Sequence, residues 1–395
     1  MIKREIFKVM ERYSKEYPVL IVTGPRQSGK TTAVRHLFKD KPYFNLEQIS
    51  HFEFAENDPV GFIAQMKEGG IIDEIQRVPK LLHEIQAVVD ELKRNGQFIL
   101  TGSSQFELMS GVAQSLAGRT ALVTLLPLSL NELKNEGLNF SNNFNIHQGF
   151  FPRIVDEALN PAEALDFYFR TYVERDIRNL MHIKNLTQFQ AFVKMCAGRT
   201  GQLLNISNLG SDVGISHTTA KEWINLLVAS YVIFLLPPFS KNVGKRLMKA
   251  PKLYFHDVGL AAFLLGIENE SQIQTHPLFG NLFENMVVSE ILKHRFNSGK
   301  SANISFYRDS SGNEVDVLYQ VGNQFIPIEI KGGMTVRDDF FKGFNYLDRI
   351  LENLSKEKII VYGGKAIERR TKATIIPPPE ICIELENIKN CLWGG

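Results

Sequence analysis

The chain has 395 residues, of which 44% are hydrophobic and 22% are charged, and its formal net charge is +2. This composition predicts a globular protein with two or three domains, each large enough to bury a core. A charge this small is no evidence for a nucleic-acid partner, because phosphate binding needs a local basic patch rather than a basic average.

The cysteines and the N-terminal segment argue against secretion. Cys196, Cys382 and Cys391 stand far apart, in a spacing that suggests neither a disulfide framework nor a zinc site. The first 18 residues are charged throughout, and no run approaches the roughly 20 apolar residues of a membrane span. We therefore expect a cytoplasmic protein with no membrane partner.

Short apolar runs and helical patterns alternate in the first third of the chain. After an amphipathic helix over 1–16, the run Val19–Val22 predicts a strand buried on both faces. Helical patterns follow over 31–38 and 80–93. The other buried apolar runs lie at 71–72, 98–100 and 121–125. This alternation predicts a parallel sheet with helices on both faces.

A glycine-rich sequence follows the first strand and opens a helix. Gly24-Pro-Arg-Gln-Ser-Gly29-Lys30-Thr31 has the spacing of a phosphate-binding loop, in which backbone N–H groups and the helix N-terminus attract an anion. Lys30 would reach the β- and γ-phosphates of ATP, and Thr31 would give its hydroxyl to Mg²⁺. The alternative is a glycine turn that binds nothing. The predicted contacts are Gly24, Pro25, Arg26, Gln27, Ser28, Gly29, Lys30, Thr31 and Thr32.

Polar residues also follow the later strands. Asp73 can complete the Mg²⁺ shell and Glu74 can orient or deprotonate the attacking water, although the pair could instead cap the next helix. Thr101 and Ser103 are candidates for sensing the γ-phosphate, although a turn would use the same residues. Arg119 would bind nucleotide in cis, complete a neighbouring subunit's site in a homo-oligomer, or simply be solvated.

The pattern becomes mainly helical after an Asn-rich stretch at 134–147, which predicts a loop. Residues 204–227 have the rhythm of a helix-turn-helix, with Gly214 in the turn and Ser216 as a helix cap. Residues 231–236 resemble the wing strand of a winged helix. The alternative is a winged helix that only packs, followed by solvated cations. The predicted DNA contacts are His217, Thr218, Thr219, Lys221, Lys245 and Arg246.

Acidic and apolar residues alternate in two short strands near the C-terminus. Residues two apart share a strand face, so Glu314 lies beside Asp316, and Glu329 beside Lys331. Asp316 and Glu329 suit Mg²⁺, and Lys331 would stabilise charge or position water. Glu284, on an apolar helical face, would join them as a third ligand if that helix packs on the hairpin. Three acids at one site favour a metal, but an inactive relic and a plain hairpin stay open.

Several of these motifs resemble one known group of proteins. GPRQSGKT, IIDEIQ, ILTGSS and LAGRTALVTLLPLSLNEL, in that order, resemble the ATPase half of a large prokaryotic group of AAA-type ATPases. The C-terminal half of that group is a domain of unknown function with a restriction-endonuclease-like core of the PD-(D/E)xK type. The resemblance covers about residues 17–365. The residues that fall on the nuclease motif are Glu284, Asp316, Glu329 and Lys331.

We therefore expect an α/β protein in three parts. These are a P-loop parallel-sheet ATPase domain over 1–135, a helical winged-helix segment over 136–245 and an α/β restriction-endonuclease-like domain over 246–395. Hydrolysis of ATP with Mg²⁺, by Lys30 and Glu74, would control a Mg²⁺-dependent cut in DNA. The alternative is an ATP-dependent switch or DNA-binding regulator whose C-terminal domain only binds a partner.

Overall fold

The computed structural model describes residues 1–103, 116–177, 185–240 and 250–393. They form two compact units. The first unit contains Met1–Leu128 and the short segments Ala229–Tyr231 and Arg295–Lys300. The second unit contains Ser129–Val228, Val232–His294 and Ser301–Gly395.

The first unit is built on a five-stranded parallel sheet. Its strand order is 2-3-4-1-5, so the first strand lies inside the sheet between the fourth and the fifth. The strands are β1 (Val19–Thr23), β2 (Tyr43–Asn45), β3 (Gly70–Asp73), β4 (Phe98–Gly102) and β5 (Thr120–Thr124). The predicted strands are confirmed, and β2, only three half-buried residues long, carries too short an apolar run to be predicted.

Helices cover both faces of this sheet, because alternate strand residues point to opposite sides. Leu20 and Val22 pack with the first two helices, whereas Val19 and Ile21 pack against the fourth and fifth. A short 3₁₀ turn, Ile75–Arg77, follows β3. The helices are α1 (Phe7–Glu16), α2 (Lys30–Leu37), α3 (Ile49–Asn57), α4 (Pro59–Ala64) and α5 (Leu81–Leu92).

The second unit begins with a helical region. A π-helical segment, Phe169–Ile177, continues one of its helices. The helices are α6 (Leu130–Asn135), α7 (Asn142–Gln148), α8 (Pro152–Asp156), α9 (Pro161–Tyr168), α10 (Leu186–Ala197), α11 (Ile206–Val213) and α12 (His217–Ala229). The loop predicted at 134–147 is partly wrong, because Ser141 accepts a hydrogen bond from the N–H of Phe144 and so caps α7.

Two sheets complete the second unit. An antiparallel pair, β6 (Ile233–Leu236) and β7 (Lys252–Phe255), precedes the helices α13 (Val258–Leu264) and α14 (Phe279–Asn297). A mixed six-stranded sheet has the order 12-13-11-10-9-8. Its elements are β8 (Ile304–Arg308), β9 (Glu314–Val321), β10 (Gln324–Lys331), α15 (Lys342–Ile350), β11 (Ile359–Tyr362), β12 (Glu368–Arg370), β13 (Ala373–Ile376) and α16 (Ile381–Trp393).

The predicted C-terminal hairpin is formed by β9 and β10, which pair antiparallel, while β10 pairs in parallel with β11 on its other side. The strand pair therefore lies inside a sheet rather than standing alone. Of the helices that the structure describes, none has the length and apolar character needed to cross a bilayer.

Candidate functional site

The loop after β1 has the backbone geometry of an anion-binding turn. Gly24 has φ +140°, and a Cβ at this position would lie 2.1 Å from the carbonyl oxygen of Leu125. Gly29 has φ +88° and precedes α2. Because both positions exclude an ordinary side chain, the loop requires its two glycines. The following helix N-terminus then faces the space that the loop encloses.

Lys30 is folded back onto this loop. Its Nζ donates to the carbonyl oxygens of Gly24 (3.0 Å) and Pro25 (2.8 Å), and the residue is only 6% exposed. Burial lowers the pKa of Lys30 to about 8. Nearby, the buried hydroxyl of Ser28 has no hydrogen-bond partner among the described residues. A buried cation and an unsatisfied hydroxyl at one loop fit a site completed by an anionic ligand.

Two residues that were not predicted at this site form hydrogen bonds with the loop and with the end of β1. Buried Arg4 donates to the carbonyl oxygens of Ser28 (2.9 Å) and Leu126 (2.6 Å). The hydroxyl of Tyr231 lies 2.9 Å from that of Thr23, the last residue of β1. These partners are up to 208 residues apart in the chain, so no local pattern marks them.

Asp73 lies where the motif predicts, at the carboxyl end of β3. The hydroxyl of Thr31 donates to its Oδ2 at 2.8 Å, and Tyr43 donates to the same oxygen at 2.6 Å. Thr101 donates to Oδ1. Burial and the Asp73 carboxylate raise the pKa of Tyr43, which therefore stays protonated and a donor. A hydroxyl beside a carboxylate fits Mg²⁺, which takes most of its remaining ligands from phosphate and water.

Glu74 is held beside Asp73 in the left-handed backbone region, with φ +58°. Its Oε2 accepts hydrogen bonds from the hydroxyl of Ser103 (2.9 Å) and from the amide of Gln76. Its N–H donates to the hydroxyl of Thr101 at 3.2 Å. The Glu74 side chain makes no capping bond to the following 3₁₀ turn, so the helix-cap alternative does not describe it. Strained backbone of this kind is typical of functional positions.

The remaining predicted contacts differ in how they are placed. Pro25 is buried in the loop, Arg26 pairs with Glu47 at 3.3 Å, and Gln27 and Thr32 are exposed. Gln27 has φ +61°, in the left-handed backbone region. The contacts of Pro25, Arg26, Gln27 and Thr32 with a nucleotide stay predictions.

Arg119 is not at this site, which corrects the prediction that it binds nucleotide in cis. Its neighbour Thr120 pairs with Val19 at the amino end of β1, whereas the phosphate-binding loop leaves the carboxyl end, roughly 15 Å away. The guanidinium of Arg119 instead pairs with Asp90 at 2.8 Å. Its role in a neighbouring subunit stays a prediction.

In the middle region, two helices joined by a short turn, α11 and α12, occupy the stretch for which a helix-turn-helix is predicted. Gly214 ends α11 in the left-handed conformation, and the hydroxyl of Ser216 accepts the N–H of Thr219 at 3.1 Å. The side-chain hydroxyl of Thr219 also contacts Ser216 at 2.9 Å, so it is partly engaged inside the protein. His217, Thr218 and Lys221 are exposed. Lys245 and Arg246 lie outside the described residues.

The C-terminal acids lie close together. Asp316 on β9 accepts the N–H of Ile330 at 2.8 Å, and Lys331 lies 2.6 Å from Oε1 of Glu329 and 3.5 Å from Oδ2 of Asp316. Burial and Asp316 raise the pKa of Glu284 to about 7 and that of Glu329 to about 8. The helix α14 therefore does bring Glu284 to the hairpin.

Lys252, the first residue of β7, was not predicted at this site. Its Nζ lies 2.6 Å from Glu314 and 2.9 Å from Glu284. Burial opposes its charge, but Glu284, Asp316 and Glu314 outweigh burial and raise the pKa of Lys252. One sequence pattern indicates this position. Lys252 and Tyr254 share one face of a strand that is otherwise apolar, and their polar atoms need polar partners when that face is buried.

The fit of a divalent cation to this cluster is mixed. Oε2 of Glu329 is buried without a hydrogen-bond partner in the part of the chain that the structure describes, which fits a missing cation. Within the same residues, no three acidic, histidine or cysteine side chains are arranged to hold one metal ion. Asp316 and Glu329 nevertheless supply the one or two carboxylates that Mg²⁺ uses when waters and phosphates complete its shell.

Three protein families match consecutive parts of the chain. Residues 16–134 match a family described as AAA domain, residues 142–271 a domain of unknown function (DUF8612) and residues 279–381 a domain of unknown function (DUF4143). The first of these places the phosphate-binding loop, Asp73 and Glu74 inside an AAA-type P-loop ATPase domain.

Two relatives match most of the chain. The uncharacterized protein Rv2008c of Mycobacterium tuberculosis is 29% identical over 292 residues, which are 73% of this chain and 65% of that protein. The uncharacterized protein MJ1544 of Methanocaldococcus jannaschii is 26% identical over 393 residues. The match covers 89% of this chain and 84% of that protein. The matched part thus spans about two thirds of the mycobacterial relative.

Among solved structures, the Walker-type ATPase PABY2304 of Pyrococcus abyssi is similar to this chain. The similar region covers 67% of this chain and 96% of that ATPase. The TM-score is 0.46 and the identity 14%. A likeness at this level supports no functional argument.

Proposed function

Because the chain carries an AAA-type P-loop ATPase domain, we propose that it binds ATP with Mg²⁺ in the loop after β1 and hydrolyses it with Glu74. The observation that carries this proposal is the convergence of Lys30, Thr31, Asp73 and Glu74 at the carboxyl ends of β1 and β3. Ligands bind at this edge of parallel sheets.

Binding begins with the phosphates. The loop N–H groups and the α2 N-terminus hold the β-phosphate, and Lys30 exchanges the carbonyls of Gly24 and Pro25 for phosphate oxygens. Thr31 and Asp73 would hold Mg²⁺, which when bound neutralises charge on the phosphates. The hydroxyl of Ser28 gains the partner that it lacks within the described chain.

Hydrolysis then falls to Glu74. Its carboxylate orients a water whose oxygen attacks the γ-phosphorus, the bond to the β–γ bridging oxygen breaks, and the water's proton passes to the carboxylate as ADP and phosphate form. Glu74 must first exchange hydrogen bonds with Ser103 and Gln76 for one to water. Thr101, which donates to Asp73, and Ser103, which donates to Glu74, would sense the γ-phosphate beside these carboxylates.

The test is ATP turnover and binding of a fluorescent ATP analogue. Lys30→Ala should lose both, because the loop loses the cation that faces the phosphates. Lys41→Met is the matched control, since Lys41 contacts the carbonyl of Gln97 rather than the loop. Turnover by Lys30→Ala at the level of the unmodified protein would overturn the proposal.

A second candidate function belongs to the C-terminal sheet: we propose a restriction-endonuclease-like domain over about 246–395 that cuts DNA with Mg²⁺ under control of ATP hydrolysis. The Oε2 of Glu329, which has no hydrogen-bond partner among the described residues and lies beside Asp316 and Lys331, favours it. A bound cation would activate water, and Lys331 would hold the charge that develops on phosphate. The alternative is a regulator in which this domain binds a partner without cutting.

Two assays separate these alternatives. Purified protein with Mg²⁺ or Mn²⁺ is incubated with varied DNA, with and without ATP, beside Asp316→Asn and Lys331→Met. Cleavage that survives both substitutions would place the activity elsewhere. We also propose that the exposed His217, Thr218 and Lys221 contact DNA in a winged-helix segment. Lys221→Ala should then weaken duplex binding and reduce the salt slope by about 1.

A further inference from the structure

An ammonium group stands where the C-terminal carboxylates meet. Lys252 is 3% exposed, and its Nζ lies 2.6 Å from Oε1 of Glu314, 2.9 Å from Oε1 of Glu284 and 3.9 Å from Oδ1 of Asp316. Three carboxylates from a helix and a strand thus converge on one buried cation of this chain.

Lys252 is held in this place by the strand that carries it. The side-chain amide of Asn285 on α14 bonds both the N–H and the carbonyl of Phe255, each at 2.8 Å. Tyr254 donates its hydroxyl to the Glu284 oxygen that Lys252 contacts. The strand β7 is therefore fixed against α14, which keeps the backbone of Lys252 beside the carboxylates while its side chain can still change conformation.

The charges of the cluster are nearly balanced without a metal. The acids are Glu284, Glu314, Asp316 and Glu329, and among the residues that the structure describes the cations within 4 Å of them are Lys252, Lys331 and Arg308. A divalent cation at Asp316 would face the ammonium of Lys252 across a buried space, where repulsion between like charges is strong. One of the two carboxylate oxygens of Glu284, Oε1, is already bonded to Lys252 and Tyr254.

We propose that Lys252 is an internal counter-ion that competes with a divalent cation for Glu284 and Asp316. The cluster takes up the cation only when the Lys252 ammonium moves away or is removed. This inference rests on the second candidate function, because it assumes that the cluster binds a cation at all. The inference adds Lys252 as the residue that sets the affinity of the cluster for the cation.

The experiment measures Mn²⁺ binding by calorimetry to the full-length protein. Lys252→Met should bind Mn²⁺ at least about tenfold more tightly than the unmodified protein, because removing a buried like charge favours the cation. Lys252→Arg keeps the charge and should not bind more tightly. Lys358→Met is the matched control, since Lys358 pairs with Asp348 away from the cluster. Adding Asp316→Asn to Lys252→Met should remove the tight binding.

Equal Mn²⁺ affinity in the unmodified protein and Lys252→Met would overturn the role of Lys252 but leave the cation site standing. Binding that is undetectable in every variant, or that ignores Asp316→Asn, would overturn the cation site itself. Should Lys252→Met not fold, acetylation of the unmodified protein gives the answer. Lys252 should become reactive at saturating Mn²⁺, and a Lys252 that stays unlabelled there would contradict displacement.

Discussion

ATP binding should draw a proton from solution because of the state of Lys30. Burial in the loop lowers the pKa of Lys30 to about 8. Its partners there are two carbonyl oxygens, whereas bound ATP supplies phosphate charges that favour the ammonium. Binding therefore raises the pKa of Lys30, and the fraction that was neutral before binding takes up a proton.

The size of this uptake follows from the pKa. With a pKa of about 8, Lys30 is about 10% neutral at pH 7, about half neutral at pH 8 and about 90% neutral at pH 9. We expect uptake of about 0.1, 0.5 and 0.9 protons per ATP at these pH values. The pKa of Lys30 is lower in the folded protein than in the unfolded chain. Without ATP, the protein should therefore also gain stability as the pH rises from about 8 toward 10.5.

The assay is calorimetric titration with MgATP in pairs of buffers that differ in ionisation enthalpy, at pH 7, 8 and 9. The guanidinium introduced by Lys30→Arg stays protonated with and without ATP. The remaining ATP binding of this variant should therefore show no proton uptake. Lys41→Met should keep the uptake, because Lys41 lies away from the loop. Uptake that stays at zero across this range, or proton release, would refute the account of Lys30.

Substitutions at three positions test buried hydrogen bonds that hold the fold together. Arg4→Met should lower the free energy of unfolding by about 2–4 kcal/mol, because it leaves the carbonyls of Ser28 and Leu126 without their donor, and should weaken ATP binding. An unchanged melting temperature would contradict this. Tyr231→Phe should cost about 1 kcal/mol in urea denaturation through the lost bond to Thr23. Asp257→Ala should cost about 2–3 kcal/mol, because the buried Asp257 carboxylate accepts the N–H groups of Phe150 and Leu260, whereas Asp257→Asn keeps an acceptor and should cost less. Equal stability of these two variants would be evidence against the hydrogen-bond explanation.

Local sequence patterns were sufficient for the phosphate-binding loop. The spacing of Gly24, Gly29 and Lys30 after an apolar run specifies both the turn and the chemistry, and the structure places Thr31 against Asp73 as the motif requires. The two carboxylate-bearing strands were also predictable, because side-chain alternation in a strand fixes which residues share a face.

Partners that are far apart in sequence were not predictable. Arg4, Tyr231 and Lys252 reach their sites through tertiary packing, and their partners lie between 24 and 208 residues away. The position of Arg119 relative to the sheet, by contrast, follows from its place in the sequence just before β5. A residue that precedes a strand of a parallel sheet lies at the amino edge, whereas nucleotides bind at the carboxyl edge.

The most direct test of the account is the turnover of Glu74→Gln beside that of Glu84→Gln, which changes a second acid, in the first turn of α5. We predict that Glu74→Gln binds ATP with nearly unchanged affinity while its turnover falls by about 10²-fold or more, and that Glu84→Gln retains full turnover. Undiminished ATP turnover in Glu74→Gln would contradict the assignment of this site.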